Sequence, residues 1–119
     1  MTVPGGAGPA PHAHPDFEEV FHALEGQLLF KSETGSFLAH KGATIAIPKG
    51  GVIHNFKNNS DKPARLLCTV IPAGLEDFFV EVEELINGKQ YSDAELKERM
   101  ELISTRYGQK VYSPDFWDL

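Results

Sequence analysis

Two histidines separated by one residue, His12-Ala13-His14, open the part of this 119-residue chain that can do chemistry. On an extended strand, residues two apart project from the same face, so both imidazoles can reach one metal ion. Glu19 follows at the head of an apolar run, Glu19-Val-Phe-His-Ala-Leu24. A carboxylate pointing inward from such a strand is costly unless a charged partner or a metal meets it. His54 stands on another short apolar segment, after Pro48 and Gly50-Gly51. Taken singly, these residues read as a surface histidine pair, a strand-end acid and a core histidine. One shared cause explains them better than three separate ones.

The elements that must position them are short and extended. Gln27-Leu-Leu-Phe30, Ala43-Thr-Ile-Ala-Ile47, Ile53-His-Asn-Phe56 and Arg65-Leu-Leu-Cys-Thr-Val-Ile71 alternate with turn signals at Gly26, Thr34-Gly35, Lys41-Gly42 and Asn58-Asn59-Ser60-Asp61. That pattern predicts an all-β barrel or sandwich. The Gly- and Pro-rich start, Pro4-Gly-Gly-Ala-Gly-Pro9, predicts irregular chain leading into His12. After Pro72 the period changes. Leu75, Phe78, Phe79, Val82, Leu85 and Ile86 lie on one helical face, and Asn87-Gly88 ends it. Ser92-Asp-Ala-Glu95 has capping-box spacing, with Tyr91 and Leu96 placed as a hydrophobic staple; Gly108 ends this second helix. The chain is therefore read as a barrel over residues 1–74 with a helical extension of the same domain over 75–119.

At this point a family resemblance carries the reading further. Gly6, His12, His14, Glu19 and Gly26 match the first motif of the cupin superfamily: G, five residues, H-x-H, three or four residues, E, six residues, G. Gly42, Pro48, Gly51, His54 and Asn58 match the second, with one extra residue between Pro48 and Gly51. The resemblance implies a double-stranded β-helix, or jelly-roll barrel, with His12, His14, Glu19 and His54 holding one divalent transition metal inside it. Three imidazoles and a carboxylate suit Fe, Mn, Ni, Co, Cu or Zn rather than an all-oxygen calcium cage. Glu18 fits the shorter gap after His14 but fails the six-residue gap to Gly26, so Glu19 is the expected ligand, with a second role as proton acceptor. The tail, Pro72-Ala-Gly-Leu-Glu-Asp-Phe-Phe79 with Arg106-Tyr-Gly108, is similar to the end of small bacterial cupins loosely grouped with quercetin dioxygenases.

Strand alternation from Glu19 and His54 places Phe21 and Phe56 on the ligand face, where they are expected to contact substrate. His22 should face the outer layer, His40 should be solvated in its turn, and Cys68 should be a small buried hydrophobe. The resulting expectation is a metal-dependent, dioxygenase-like enzyme acting on a small aromatic or enolic molecule. Alternatives are a non-catalytic metal- or ligand-binding protein and a metal-dependent isomerase or lyase.

Composition narrows the partners. The formal net charge is −6; residues 1–74 carry six acids and six bases, whereas 75–119 carry eleven acids and five bases. With no basic cluster, neither nucleic acid nor an acidic membrane surface is an expected partner. A single cysteine, and a start without a basic, apolar leader pattern, lead to a cytoplasmic expectation. At most one short strand fits before His12, which leaves a sheet edge to be covered. A homodimer is expected to cover it, or the chain's own tail, with Lys110-Val-Tyr112 adding a strand and Phe116-Trp117 capping apolar surface. The segment from Gln109 to Leu119 should then be ordered.

Overall fold

The computed structural model describes residues 1–118; Leu119 lies outside the described residues. Among the described residues, nine strands form two antiparallel sheets. They are β1 (Thr2–Val3), β2 (His12–Ala13), β3 (Glu18–Glu25), β4 (Gln27–Ser32), β5 (Gly35–His40), β6 (Thr44–Ile47), β7 (His54–Lys57), β8 (Ala64–Ile71) and β9 (Lys110–Val111). One sheet has the order β1-β8-β3-β6 and the other β5-β4-β7-β2-β9. The sheets face each other as a jelly roll. Two helices, α1 (Leu75–Asn87) and α2 (Asp93–Arg106), follow the barrel strands, and a single 3-10 turn spans Phe116–Asp118.

Alternation along the strands builds the core. On β3, Glu19, Phe21 and Ala23 are buried while Glu18, Val20 and His22 are less so; on β7, His54 and Phe56 are buried beside half-buried Asn55 and exposed Lys57. Phe21, Phe30 and Phe56 meet between the sheets with ring centroids 5.3–5.6 Å apart. Around them pack Val3, Ala23, Leu28, Ile47 and Leu66.

The two places where the chain most needs glycine lie beside the histidines. A Cβ at Gly8 would stand 2.1 Å from the Phe56 carbonyl oxygen, so only glycine lets the segment before His12 press onto β7. In the turn before His54, Gly50 and Gly51 both have positive φ, 119° and 81°, and the Gly50 amide donates to the Pro15 carbonyl at 3.0 Å. The residue that departs from the motif is absorbed there.

The helices end as their sequence predicts. Ser92 Oγ accepts from the Glu95 amide at 3.2 Å, and the chain leaves α2 through Gly108 at φ 74°. It then forms β9, pairing His12 with Val111 and Ala13 with Lys110. The tail itself covers the outer edge of β2. Tyr112 donates its amide to the Pro11 carbonyl at 2.8 Å, and Trp117 donates Nε1–H to Asn55 Oδ1 at 2.8 Å.

Asn58, the last residue of the second motif, is a structural hub and is fully buried. Its Nδ2 donates to the carbonyls of Val3 (3.0 Å) and Lys62 (2.6 Å), and its Oδ1 accepts from the Ser60 amide (3.0 Å) and hydroxyl (2.7 Å). These bonds tie β1 to the turn between β7 and β8. Truncating Asn58 strands several of these groups, so Asn58→Ala is expected to cost about 2–4 kcal/mol in urea unfolding. A loss below about 0.5 kcal/mol, the range of an ordinary surface substitution, would show that the turn is held by something else.

Candidate metal centre

Both sheets contribute to one buried cluster. His12 lies on β2 directly opposite His54 on β7, and His14 follows one residue beyond β2. Glu19 projects from β3 in the opposite sheet, bracketed by Ile47 and Val70 on the neighbouring strands. His14, Glu19 and His54 are at most 4% exposed. One ligand atom from each of His12, His14, Glu19 and His54 lies within 4.8 Å of all the others, so the four can hold one metal ion.

The backbone sets the tautomers. The Nδ1 atoms of His12 and His54 each lie 2.8 Å from a carbonyl oxygen, of Ala10 and Val52, and that of His14 lies 3.3 Å from the Phe17 carbonyl. A carbonyl only accepts, so Nδ1 carries the hydrogen in each ring and Nε2 of the neutral ring is a bare lone pair. The Nε2 atoms of His14 and His54 are 3.1 Å apart, and Glu19 Oε1 contacts the first and lies 3.7 Å from the second. Lone pairs and a carboxylate oxygen converging in a buried space repel one another unless a cation sits among them. The donor set therefore fits a transition metal or, without one, a proton.

Protonation follows from the same geometry. Burial, aided by the charge of His54, pushes the His12 imidazole down to about 4. Burial also opposes charge on His14, yet its hydrogen bond to Glu19 and the carboxylate charge outweigh that and raise its value. For Glu19, burial is again opposed and overcome: the hydrogen bond from His14, with His54 close by, holds its carboxyl well below the usual carboxylate range. Cys68, across from Phe21 on β8, donates its thiol to Glu19 Oε2 at 3.2 Å. Burial and the neighbouring carboxylate push this thiol upward, so it stays protonated.

A cavity of about 410 Å³ opens onto the cluster. His12, Glu19, Phe21 and Phe56 form one side; Val3, Ala7, Leu75, Phe78, Met100, Ser104 and Gln109 are among the residues that close it. Phe21 and Phe56 thus border the cavity while remaining part of the barrel core. Among the described residues, no Lys or Arg lines it.

Glu18 is only half buried and stands outside the cluster; His22 binds Thr44 Oγ1 at 2.9 Å on the outer face, and His40 is exposed. Two features escape the sequence reading. Cys68, expected to be a plain small hydrophobe, is half buried and hydrogen-bonds to Glu19. The cavity wall supplied by α1, α2 and Gln109 has no local signal, since the apolar face of α1 reads equally as packing.

The family model for the cupin domain matches residues 1–70. The rhicadhesin receptor of Pisum sativum is 42% identical over 71 residues, covering 56% of this chain and 32% of that protein. A probable germin-like protein of Arabidopsis thaliana, subfamily 2 member 5, is 41% identical over 71 residues with the same shares. The chain thus spans about a third of the length of these relatives. Among solved structures, a sugar phosphate isomerase from a cupin superfamily in Silicibacter pomeroyi aligns with a TM-score of 0.57 at 27% identity, over 60% of this chain and 47% of that one. A predicted oxalate decarboxylase from Thermotoga maritima aligns with a TM-score of 0.55 over 60% of this chain and 61% of that one; at 21% identity the likeness is one of fold.

The shifted groups make the metal-free protein pH-sensitive. His14, raised when folded, contributes stability that is complete below the unfolded value of 6.5 and is lost as pH rises through its raised value. His12, lowered to about 4, acts oppositely: the unfolded chain takes up its proton first, so stability falls as pH drops from 6.5 to about 4. Glu19, lowered, adds a loss as pH drops below its unfolded value of 4.5. Melting of chelator-treated protein is therefore expected to fall steeply between pH 6.5 and 4, and a flat profile there would contradict the burial of neutral His12.

Proposed function

This chain belongs to the cupin domain family, and on that premise we propose that it is a metal-dependent, dioxygenase-like enzyme acting on a small aromatic or enolic molecule. The observation that carries the reading is the cluster of three imidazoles and one carboxylate opening onto a largely apolar cavity of about 410 Å³. That volume suits a small molecule. His12, His14 and His54 supply neutral nitrogen ligands, and Glu19 supplies the anionic one. Four protein ligands leave one or two positions of a five- or six-coordinate ion for substrate. A bound transition metal would supply Lewis acidity and, where redox-active, dioxygen chemistry.

The chain's own side chains do the rest. The carbonyls of Ala10 and Val52 orient His12 and His54, and Cys68 holds Glu19 Oε2, leaving Oε1 toward the imidazoles. The same interactions that keep Glu19 ionised make it a weak base, so accepting a substrate proton is secondary to its ligand role. Phe21 and Phe56 offer flat apolar surface to an aromatic ring and exclude water from the reacting end. The wall away from the cluster carries no Lys or Arg side chain among its lining residues, whereas a site built for a phosphorylated sugar would commonly meet the phosphate with one.

Purified protein is expected to carry close to one transition-metal ion per chain by elemental analysis, lost in His12→Ala, His14→Ala, His54→Ala and Glu19→Gln but retained in Glu18→Gln. Oxygen consumption is expected with at least one class among flavonols, diketones and catechols. Retention of metal by the His54 variant would overturn the ligand set. Tight binding of such compounds with no oxygen consumed under any of the candidate metals would replace the enzyme by a binding protein.

A further inference from the structure

The cavity has one polar feature that the metal cluster does not use. Apart from His12 and Glu19, its polar side chains are Thr2, Ser104 and Gln109, and none carries a charge. Gln109 is 8% exposed, and its Nε2 is buried without any hydrogen-bond partner. A buried amide donor left unpaired is unfavourable, and such groups are rare in folded chains unless a ligand or water meets them.

The backbone holds Gln109 firmly. Its own amide donates to the Ser104 carbonyl at 2.8 Å, closing the end of α2 after the turn at Gly108. The next two residues are β9, paired with His12 and Ala13. Gln109 is thus tied on one side to a cavity-lining helix and on the other to the strand that carries the first histidine. Gln109 also borders a second cleft, lined by Glu101, Thr105, Lys110 and Val111.

We infer that Gln109 is a specificity-determining residue: its side-chain amide donates a hydrogen bond to an oxygen of an otherwise apolar ligand in the cavity. The inference rests on the proposed function, and it narrows the substrate class. The ligand is an uncharged-bodied aromatic or enolic molecule with oxygens for the metal and one further carbonyl, ether or hydroxyl oxygen elsewhere on its frame. A phosphate or second carboxylate has no Lys or Arg side chain to meet on this wall. A purely hydrocarbon body would leave the Gln109 donor unpaired and bind less well.

The test uses two catechols differing at one position, 3,4-dihydroxyacetophenone with a carbonyl and 4-ethylcatechol without one, titrated calorimetrically into Zn(II)-loaded protein. Their affinity ratio in wild type is compared with that in Gln109→Leu, which reports the effect of the acetyl group on chelation alone. The preference for the acetyl compound is expected to be about tenfold greater in wild type, the size of one net hydrogen bond. Zinc stoichiometry should be unchanged, and the melting temperature of the metal-free leucine variant unchanged or raised, because an unpaired buried donor has been removed. Gln109→Met, of similar length, gives the same comparison should the leucine variant not fold. Equal ratios in wild type and variant would overturn the role of Gln109 while leaving the cavity as the ligand site. Failure of both catechols, and of a flavonol and a diketone titrated alongside them, to bind zinc-loaded wild type would overturn the underlying functional reading, and this inference with it.

Discussion

Three imidazole lone pairs and a carboxylate oxygen brought within 4.8 Å, in a space nearly closed to water, form the constraint around which the rest of the molecule is arranged. Such a group does not assemble unless the chain holds it there. The two sheets provide the force by burying Phe21, Phe30, Phe56 and their neighbours directly behind the cluster. Because Glu19 comes from one sheet and the histidines from the other, the packing of the sheets and the assembly of the site are one event. The carbonyls of Ala10, Phe17 and Val52 then fix each ring so that its free nitrogen faces inward. Electrostatic repulsion at the centre is offset by hydrophobic burial around it, and a cation removes that repulsion.

The C-terminal third changes what the barrel can do. A sheet edge at β2 would leave His12 on an open rim, but β9 pairs with that edge. Leu75, Phe78, Met100 and Ser104 bring the helices over the mouth. The result is a cavity in place of a surface dish. Gly108 matters here because a left-handed residue after α2 reverses the chain toward β2. The excess acidity of the tail stays away from the cavity, whose helical wall presents apolar and uncharged side chains.

Much of this was legible because it is local. Strand alternation placed Glu19 and Phe21 on one face and His22 on the other, and the structure has the same arrangement. Ser92 and Glu95 announced a helix start that the hydrogen bond between them realises. Motif spacing named the four residues the fold brings together, since two strand pairings and one sheet-to-sheet crossing are encoded in the turns between them. What stayed hidden depends on distant pairs. Cys68 and Glu19 are 49 residues apart and meet only through the register of β3 with β8. Gln109 has no motif; its position becomes meaningful only when α2, β9 and β2 are seen together. The apolar stripe of α1 is buried only at its start, where Leu75 closes the cavity, while Ile86 at its other end is exposed.

The central claim, that three imidazoles and one carboxylate bind a single transition metal, is tested most directly by X-ray absorption at the metal edge of the purified, metal-loaded protein. The expected spectrum has a first shell of nitrogen and oxygen only, with outer-shell scattering that requires three imidazole rings. A sulfur shell, which would place Cys68 on the metal, or scattering that fits fewer than three imidazoles, would contradict it.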